Sequence, residues 1–233
     1  MSYREIAPPS DLASLVECFW SISGPVGEHR VLPDGCIDII LMNGHARVVG
    51  TMTNAIVAGA SAEPIVGVRF RPGEAARVVP MAPHELTDLD ASLADAWGDD
   101  GKALADVDRN AESLVTALRA RLARHGDAAD LPMRAAAAVL SRGGSVRDAA
   151  ERANVSERHL GRRFTSRVGV APKMFGRVMR LRRAVSAIWS GANAAEAAAV
   201  AGYSDQAHFT RDARDLAGVT PVRFIQDARA VSQ

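Results

Sequence analysis

The stretch NVSERHLGRRFTSRVGVAP, residues 154–172, returns in altered form as YSDQAHFTRDARDLAGVTP, residues 203–221, at an offset of 49. His159 pairs with His208, Leu160 with Phe209, Arg162 with Arg211, Gly169 with Gly218, Val170 with Val219 and Pro172 with Pro221. Upstream the offset is 48, where DAA at 148–150 matches EAA at 196–198, so the second copy carries one extra residue in its turn. A fixed-period repeat marks a duplicated supersecondary unit. Each copy reads as an alanine-rich helix, a turn of about four residues and a second, more basic helix. Ser145 is placed to N-cap the first helix of the first copy, and Ser156 the second.

The second helix of the first copy has two faces. Leu160, Phe164 and Val168 recur at i, i+4 and i+8, while Arg158 and Arg162 share a different face. Ala149, Ala150 and Ala153 let its partner helix approach closely. This is the pattern of a helix-turn-helix: an apolar stripe seats the helix and leaves arginines to enter a major groove, where guanidinium groups bond guanine O6 and N7 bidentately. Ser156 and Arg163 flank that face, Arg163 on the solvated side within reach of a backbone phosphate. In the second copy Phe209 and Leu216 form the stripe, leaving Gln206, Thr210 and Arg211 for the groove. His159 and His208 sit beside these anchors and read as packing or phosphate-facing residues.

Between the copies, PKMFGRVMRLRRAVSAIWSGAN (172–193) predicts a long helix, apolar at Met174, Val178, Leu181, Val185 and Ile188, with Arg177, Arg180, Arg182 and Arg183 on the exposed side. About 18 helical residues span roughly 27 Å. With the width of the flanking units added, that length suits two recognition helices one DNA turn, about 34 Å, apart; DNA bending would meet a shortfall.

Charge follows the same division. Of the 233 residues, positions 131–233 hold 17 Arg and Lys against 8 Asp and Glu, whereas positions 1–130 hold 11 against 19, and the two halves nearly cancel to a net +1. A basic half beside an acidic one points to nucleic acid as the partner of the basic half alone. The helical segment AESLVTALRARLARHG ends at 126, and HGDAADLP (125–132) reads as a linker, which divides the chain into residues 1–128 and 129–233. Only two of the 28 basic residues are lysine, a bias typical of GC-rich bacterial genomes.

The C-terminal half resembles the DNA-binding domain of the AraC/XylS family of bacterial transcription regulators over about residues 131–226. The most specific portion is GYSDQAHFTRDARDLAGVTPVRF (202–224), similar to the family's closing signature of Gly, an aromatic, a Phe-x-Arg core and Gly-x-Thr-Pro. The resemblance implies an all-α domain of seven helices, with two helix-turn-helix units joined by a long helix. It places groove-facing residues at Arg158, Gly161 and Arg162 in the first unit and Gln206, Thr210 and Arg211 in the second. Two positions depart from the pattern: Ala213 stands where the family usually has Phe, and Ile225 where it often has Arg. The first is expected to loosen packing of the second recognition helix.

The N-terminal half predicts a β-rich domain, giving an α+β chain overall. GCIDIILM (35–42), ARVVGTM (46–52) and EPIVGVRF (63–70) read as strands of an antiparallel or mixed sheet, followed by helical segments at EAARVVP, ASLADAW and 111–126. LPDGCIDIIL, VGVRFRPG and HELTD look like a sensor-type domain found ahead of such DNA-binding domains. The resemblance implies effector binding or dimerisation there, often on a cupin-like barrel, so a small-molecule effector and a homodimer join double-stranded DNA as expected partners. Cys36 at a strand start is a candidate redox or electrophile sensor, with a buried filler as the plainer alternative. Arg69 and Arg71, alternating around Phe70, are candidates for an anionic effector, or simply an exposed strand face.

Other classes find less support. Cys18, His29, Cys36 and His45 match no compact ligand spacing, so neither metal nor cofactor is expected. A DNA-repair methyltransferase fused to the same DNA-binding module is the alternative, and it needs a cysteine cluster that two dispersed cysteines do not supply. No Ser, Cys or Asp stands with a His in a nucleophile motif, so no catalytic residue is assigned. The N-terminus lacks a signal peptide's basic start and apolar run, and no apolar stretch approaches ~18 residues, so a cytoplasmic protein without a membrane partner is expected.

Overall fold

Alternation in the N-terminal half translates directly into a two-faced sheet. The computed structural model describes residues 2–25, 27–106, 109–126 and 128–224. Strands β1 (Ser2–Ile6), β2 (Val16–Ser23), β3 (His29–Val31), β4 (Asp38–Met42), β5 (His45–Val49), β6 (Ile56–Ala58), β7 (Ile65–Phe70) and β8 (Asp90–Ser92) are followed by helices α1 (Leu93–Trp97), α2 (Asp99–Asp106) and α3 (Ala111–His125). Six strands form one sheet in the order β1-β2-β7-β4-β5-β8, antiparallel throughout, and β3 pairs with β6 separately. β1 and β8 remain edges, so among the described residues the ladder does not close into the expected cupin-like barrel.

One sheet face carries Phe19, Ile39, Leu41, Val48, Val66, Val68 and Phe70, buried against Leu93, Trp97, Leu104, Leu114 and Leu118. The other carries a smaller cluster of Cys18, Trp20, Ile22 and Ile65. Trp20 lies flat enough on β7 that a Cβ at Gly67 would fall 2.3 Å from its ring, which is why the strand has glycine there. Two expected helices are reassigned. EAARVVP is only a short 3₁₀ turn, Ala75–Arg77, because Pro80 ends it; ASLADAW is split, its first residues pairing with β5 as β8 and Ser92 then capping α1.

The C-terminal half is helical. It comprises α4 (Leu131–Ser141), α5 (Val146–Arg152), α6 (Glu157–Val168), α7 (Pro172–Trp189), α8 (Ala194–Ala201) and α9 (Gln206–Ala217). Ile225 lies outside the described residues. Ala213 is fully buried in one core with Phe209 and Leu216, so the small residue sits in a closed layer. On α7, Phe175 is fully buried while Met174 is only partly so, a correction to the expected stripe: the helix packs on both units and Phe175 meets Phe164 edge-on at 5.3 Å.

The N-terminal half packs against both units. Thr51 Oγ1 donates to Val168 O at 2.6 Å, and Thr87 Oγ1 to Gly169 O at 2.8 Å. Arg30 Nη1 donates to Ala217 O at 2.9 Å, and the Ala55 amide to Leu216 O at 2.7 Å. Val168 and Ala217 are equivalent positions of the repeat, so the same carbonyl at the end of each recognition helix receives a donor from the sheet domain. Gly169 makes this approach possible: its φ is +99° and a Cβ would lie 3.0 Å from Pro83 O. Thr51→Val keeps the shape of a fully buried side chain but leaves Val168 O without this donor, and is expected to cost about 1–2 kcal/mol in urea denaturation.

Candidate nucleic-acid interface

The two repeat units fold alike because their caps are alike. In the first, Ser145 and Asp148 form a capping box at the start of α5; in the second, Asn193 and Glu196 do so at the start of α8. Both turns pass through a positive-φ residue, Asn154 at 54° and Gly202 at 82°, and then diverge: Val155 alone precedes the Ser156 cap, whereas Tyr203 and Ser204 precede the Asp205 cap. That is the extra residue. Ser156 Oγ accepts from the His159 amide, and Asp205 Oδ1 from the His208 amide, which starts α6 and α9 at matching positions.

Leu160, Phe164 and Val168 are buried on α6, and Phe209 and Leu216 on α9. The opposite faces are open. Arg158, Arg162 and Arg211 are exposed and have no hydrogen-bond or ion-pair partner among the described residues. Gly161 has nothing within 4 Å of a built Cβ, so α6 has a flat spot between its two arginines. Gln206 is exposed at the first position of α9, and Thr210 turns its hydroxyl back to Gln206 O at 2.8 Å. His208 stacks edge-on against Tyr203 at 5.1 Å and contacts Ser204 Oγ through Nδ1 at 3.2 Å, as a packing residue; His159 is exposed.

Other arginines have different work. Arg163 donates from Nε and Nη2 to both oxygens of buried Asp130, each at 2.9 Å, and Asp130 also accepts from the Met133 amide at the start of α4. Arg163 therefore anchors α6 to α4 and is withdrawn from the DNA-facing set, since a bidentate pair on a buried carboxylate leaves little of its fork for phosphate. Of the four α7 arginines expected on the exposed side, only Arg182 is exposed; Arg177, Arg180 and Arg183 are half-buried. Arg183 donates to Ser141 O at 2.6 Å and Ala201 O at 3.1 Å, the electronegative carbonyl ends of α4 and α8. Arg177 pairs with Asp212 at 2.7 Å, Arg180 lies 5.4 Å over the Tyr203 ring, and Arg182 faces Asp34 at 3.6 Å. A 3.6-residue period reports only that these side chains share faces; neighbouring helix ends occupy what the pattern leaves as solvent. One residue was missed: Arg214, exposed three positions beyond Arg211, extends the α9 face at helical spacing.

The effector candidates are also spoken for. Arg69 Nε lies 2.8 Å from Asp34 and Nη2 3.1 Å from Asp38, which also accepts from Trp20 Nε1 at 3.0 Å. Burial pushes the Asp38 carboxyl up to about 6, with Arg69 pulling the other way. Arg71 pairs with Glu17 at 2.6 Å and donates to Ala13 O. Burial, then the Asp34 charge, raises the Cys36 thiol well above its ordinary range, and burial takes Cys18 up to about 11. Neither cysteine is a ready thiolate, which is what sensing or methyl acceptance requires. Among the described residues no three His, Cys, Asp or Glu side chains gather as metal ligands, and no helix is long and apolar enough to cross a membrane.

Comparison with known proteins follows the same division. Residues 149–227 match the model of a helix-turn-helix domain, and residues 4–92 that of a domain of unknown function, DUF6597. No curated protein sequence matches significantly. Similar solved structures include a probable AraC family transcriptional regulator from Rhodopseudomonas palustris, with 26% identity over 42% of this chain and 97% of that one and a TM-score of 0.38. The C-terminal domain of AraT, a response regulator from Geobacillus stearothermophilus, is 21% identical over 42% and 82%, with a TM-score of 0.37. ToxT from Vibrio cholerae is 11% identical over 89% and 98%, with a TM-score of 0.48. The domain match and the duplicated cap geometry agree: the helix-turn-helix domain matched at residues 149–227 holds two such units. A domain of this kind seats a helix in a groove of DNA.

Proposed function

We propose that residues 129–233 read a specific duplex site with α6 and α9 in successive major grooves, and that residues 1–128 control that reading in response to a small molecule. The observation that carries the first part is the sorting of arginines. Arg158, Arg162 and Arg211 stand exposed on the outer faces of α6 and α9 with no ion-pair or hydrogen-bond partner among the described residues, while Arg163, Arg177 and Arg183 hold helices together. Base contacts then come from Arg158, Arg162, Gln206 and Arg211, with Ser156, Gly161 and Thr210 admitting the backbone and bases closely and Arg214 reaching a phosphate. The contacts from the sheet domain to the ends of both recognition helices support control exerted on both units at once. Regulation rather than catalysis follows from this assignment, as does action in the cytoplasm; dimerisation through residues 1–128 is compatible with it.

The test is selection of bound sites from random duplexes, followed by titration of the best site. Arg162→Ala is expected to weaken binding by about 1–3 kcal/mol and to relax preference at one position, whereas a phosphate-contacting Arg214→Ala weakens all sequences alike and lowers the salt slope by about one. Equal binding of target and scrambled DNA by the wild type, unchanged in Arg162→Ala, would sink the assignment.

A further inference from the structure

α7 carries a glycine that no contact inside the protein requires. Of the three glycines within the described helices, Gly101 is forced, because a Cβ there would fall 2.4 Å from Leu93 O; Cβ atoms at Gly161 and Gly176 would meet nothing within 4 Å. A glycine in a helix interior is less stable than alanine, so one with open space around it points to close approach by something outside the chain. For Gly161 that is the groove-facing side of α6. Gly176 lines an open groove where the two repeat units meet, between Gly144, Ser145 and Val146 at the start of α5 and His208 in the first turn of α9.

Lys173 and Arg180 flank Gly176 at i−3 and i+4 and line the same groove. Lys173 is exposed, with no hydrogen-bond or ion-pair partner among the described residues. Arg180 is half-buried, its guanidinium 5.4 Å over the Tyr203 ring, and has no carboxylate in ion-pair range among the described residues. The remaining charges of the lining, Arg177 and Asp212, pair with each other at 2.7 Å, so three cations face one carboxylate and two positive charges are left over. The groove opens away from the sheet domain, which meets α7 on another face: Gly35 packs on Phe175 and Met179, and Asp34 lies 3.6 Å from Arg182. Two recognition helices in successive major grooves place the intervening minor groove, with a phosphate backbone on each border, opposite the junction of the units. We infer that the Gly176 groove seats the DNA backbone at the centre of the operator, a phosphodiester crossing Gly176 with Lys173 and Arg180 on either side. The contact deepens the DNA reading proposed above and rests on it: it adds affinity and fixes register without reading bases.

The experiment is phosphate-ethylation interference with the full chain on its selected duplex, alongside titrations at several salt concentrations. Ethylating the phosphates midway between the two half-sites should block the wild type and hinder Lys173→Gln much less. Lys173→Gln should bind target and scrambled duplexes about three- to tenfold more weakly alike and lower the salt slope by about one. Gly176→Glu should lose about tenfold or more while melting no lower than the wild type, because glutamate favours the helix and stands four residues before Arg180. Ser186→Glu makes the same charge change at an exposed position of α7 outside the groove, and should keep the central interference. Arg162→Ala should keep it too while its base preference changes. A wild type that selects a site but shows no interference at its centre overturns this inference and leaves the assignment of α6 and α9 standing; a wild type that selects no site overturns that assignment itself. Undiminished binding by Gly176→Glu, or an unchanged salt slope in Lys173→Gln, would likewise overturn the inference.

Discussion

Arg177→Ala is expected to destabilise the protein by about 3 kcal/mol, measured as the shift in urea denaturation at pH 7. Among the described residues Arg177 is the only cation in ion-pair range of Asp212, which is 5% exposed; both Nε and Nη2 reach the same oxygen, at 3.2 and 2.7 Å. The other oxygen of Asp212 is buried beside the Tyr203 hydroxyl, so among the described residues only a neutral donor remains near the carboxylate once Arg177 is gone. Removing one partner of a buried pair leaves a desolvated charge, a loss of about 3–5 kcal/mol, and the lower end applies because Arg177 itself is about one-third exposed. Arg177→Ala with Asp212→Asn should recover part of the loss. A loss that is unchanged in the double variant would mean that packing, not charge, holds α9 to α7.

Phe164→Ala is expected to cost about 3–5 kcal/mol, the range for deleting a fully buried aromatic. Its ring is 0% exposed, lies between Leu160 and Val168 on α6 and meets Phe175 of α7 edge-on. Without it, α6 loses the anchor that seats it on the linker helix while every groove-facing side chain remains. The functional result should therefore differ from that of Arg162→Ala: weaker binding to all duplexes that need the first unit, rescued by lower temperature, rather than a changed base preference. Phe164→Leu, which fills most of the volume, should cost less than half as much. Thermal denaturation of the three proteins followed by titration with the selected site distinguishes these outcomes.

How far these side chains could be read beforehand depended on the range of their partners. The two recognition helices were legible because capping and apolar spacing are local: Ser156 to His159, Leu160 to Phe164 to Val168. The offset change of the repeat even located the extra turn residue, now Tyr203 or Ser204. By contrast, Arg163 reads as phosphate-facing because its partner Asp130 is 33 residues away, and Arg183 as solvent-facing because carbonyl acceptors at helix ends carry no sequence signature. In the sheet domain β1, β3 and β6 are short and largely exposed, with no alternation for a pattern to catch. Arg69 was legible as a strand residue but not as the partner of Asp34 and Asp38, which neighbouring strands and loops bring to it. Arg121 looked like any arginine in an amphipathic helix; only the fold places it under Trp97.

The paired contacts on Val168 O and Ala217 O carry a geometric consequence for the operator. While both are made, the sheet domain works as the frame of a caliper whose jaws are α6 and α9, and the jaw setting cannot drift. Half-site phasing should then be stringent: inserting about five base pairs, half a helical turn, rotates one half-site to the far side of the duplex and should abolish simultaneous contact. With Thr51 and Arg30 both replaced, the frame is loosened, and the protein should tolerate spacings one base pair longer or shorter than the wild type does.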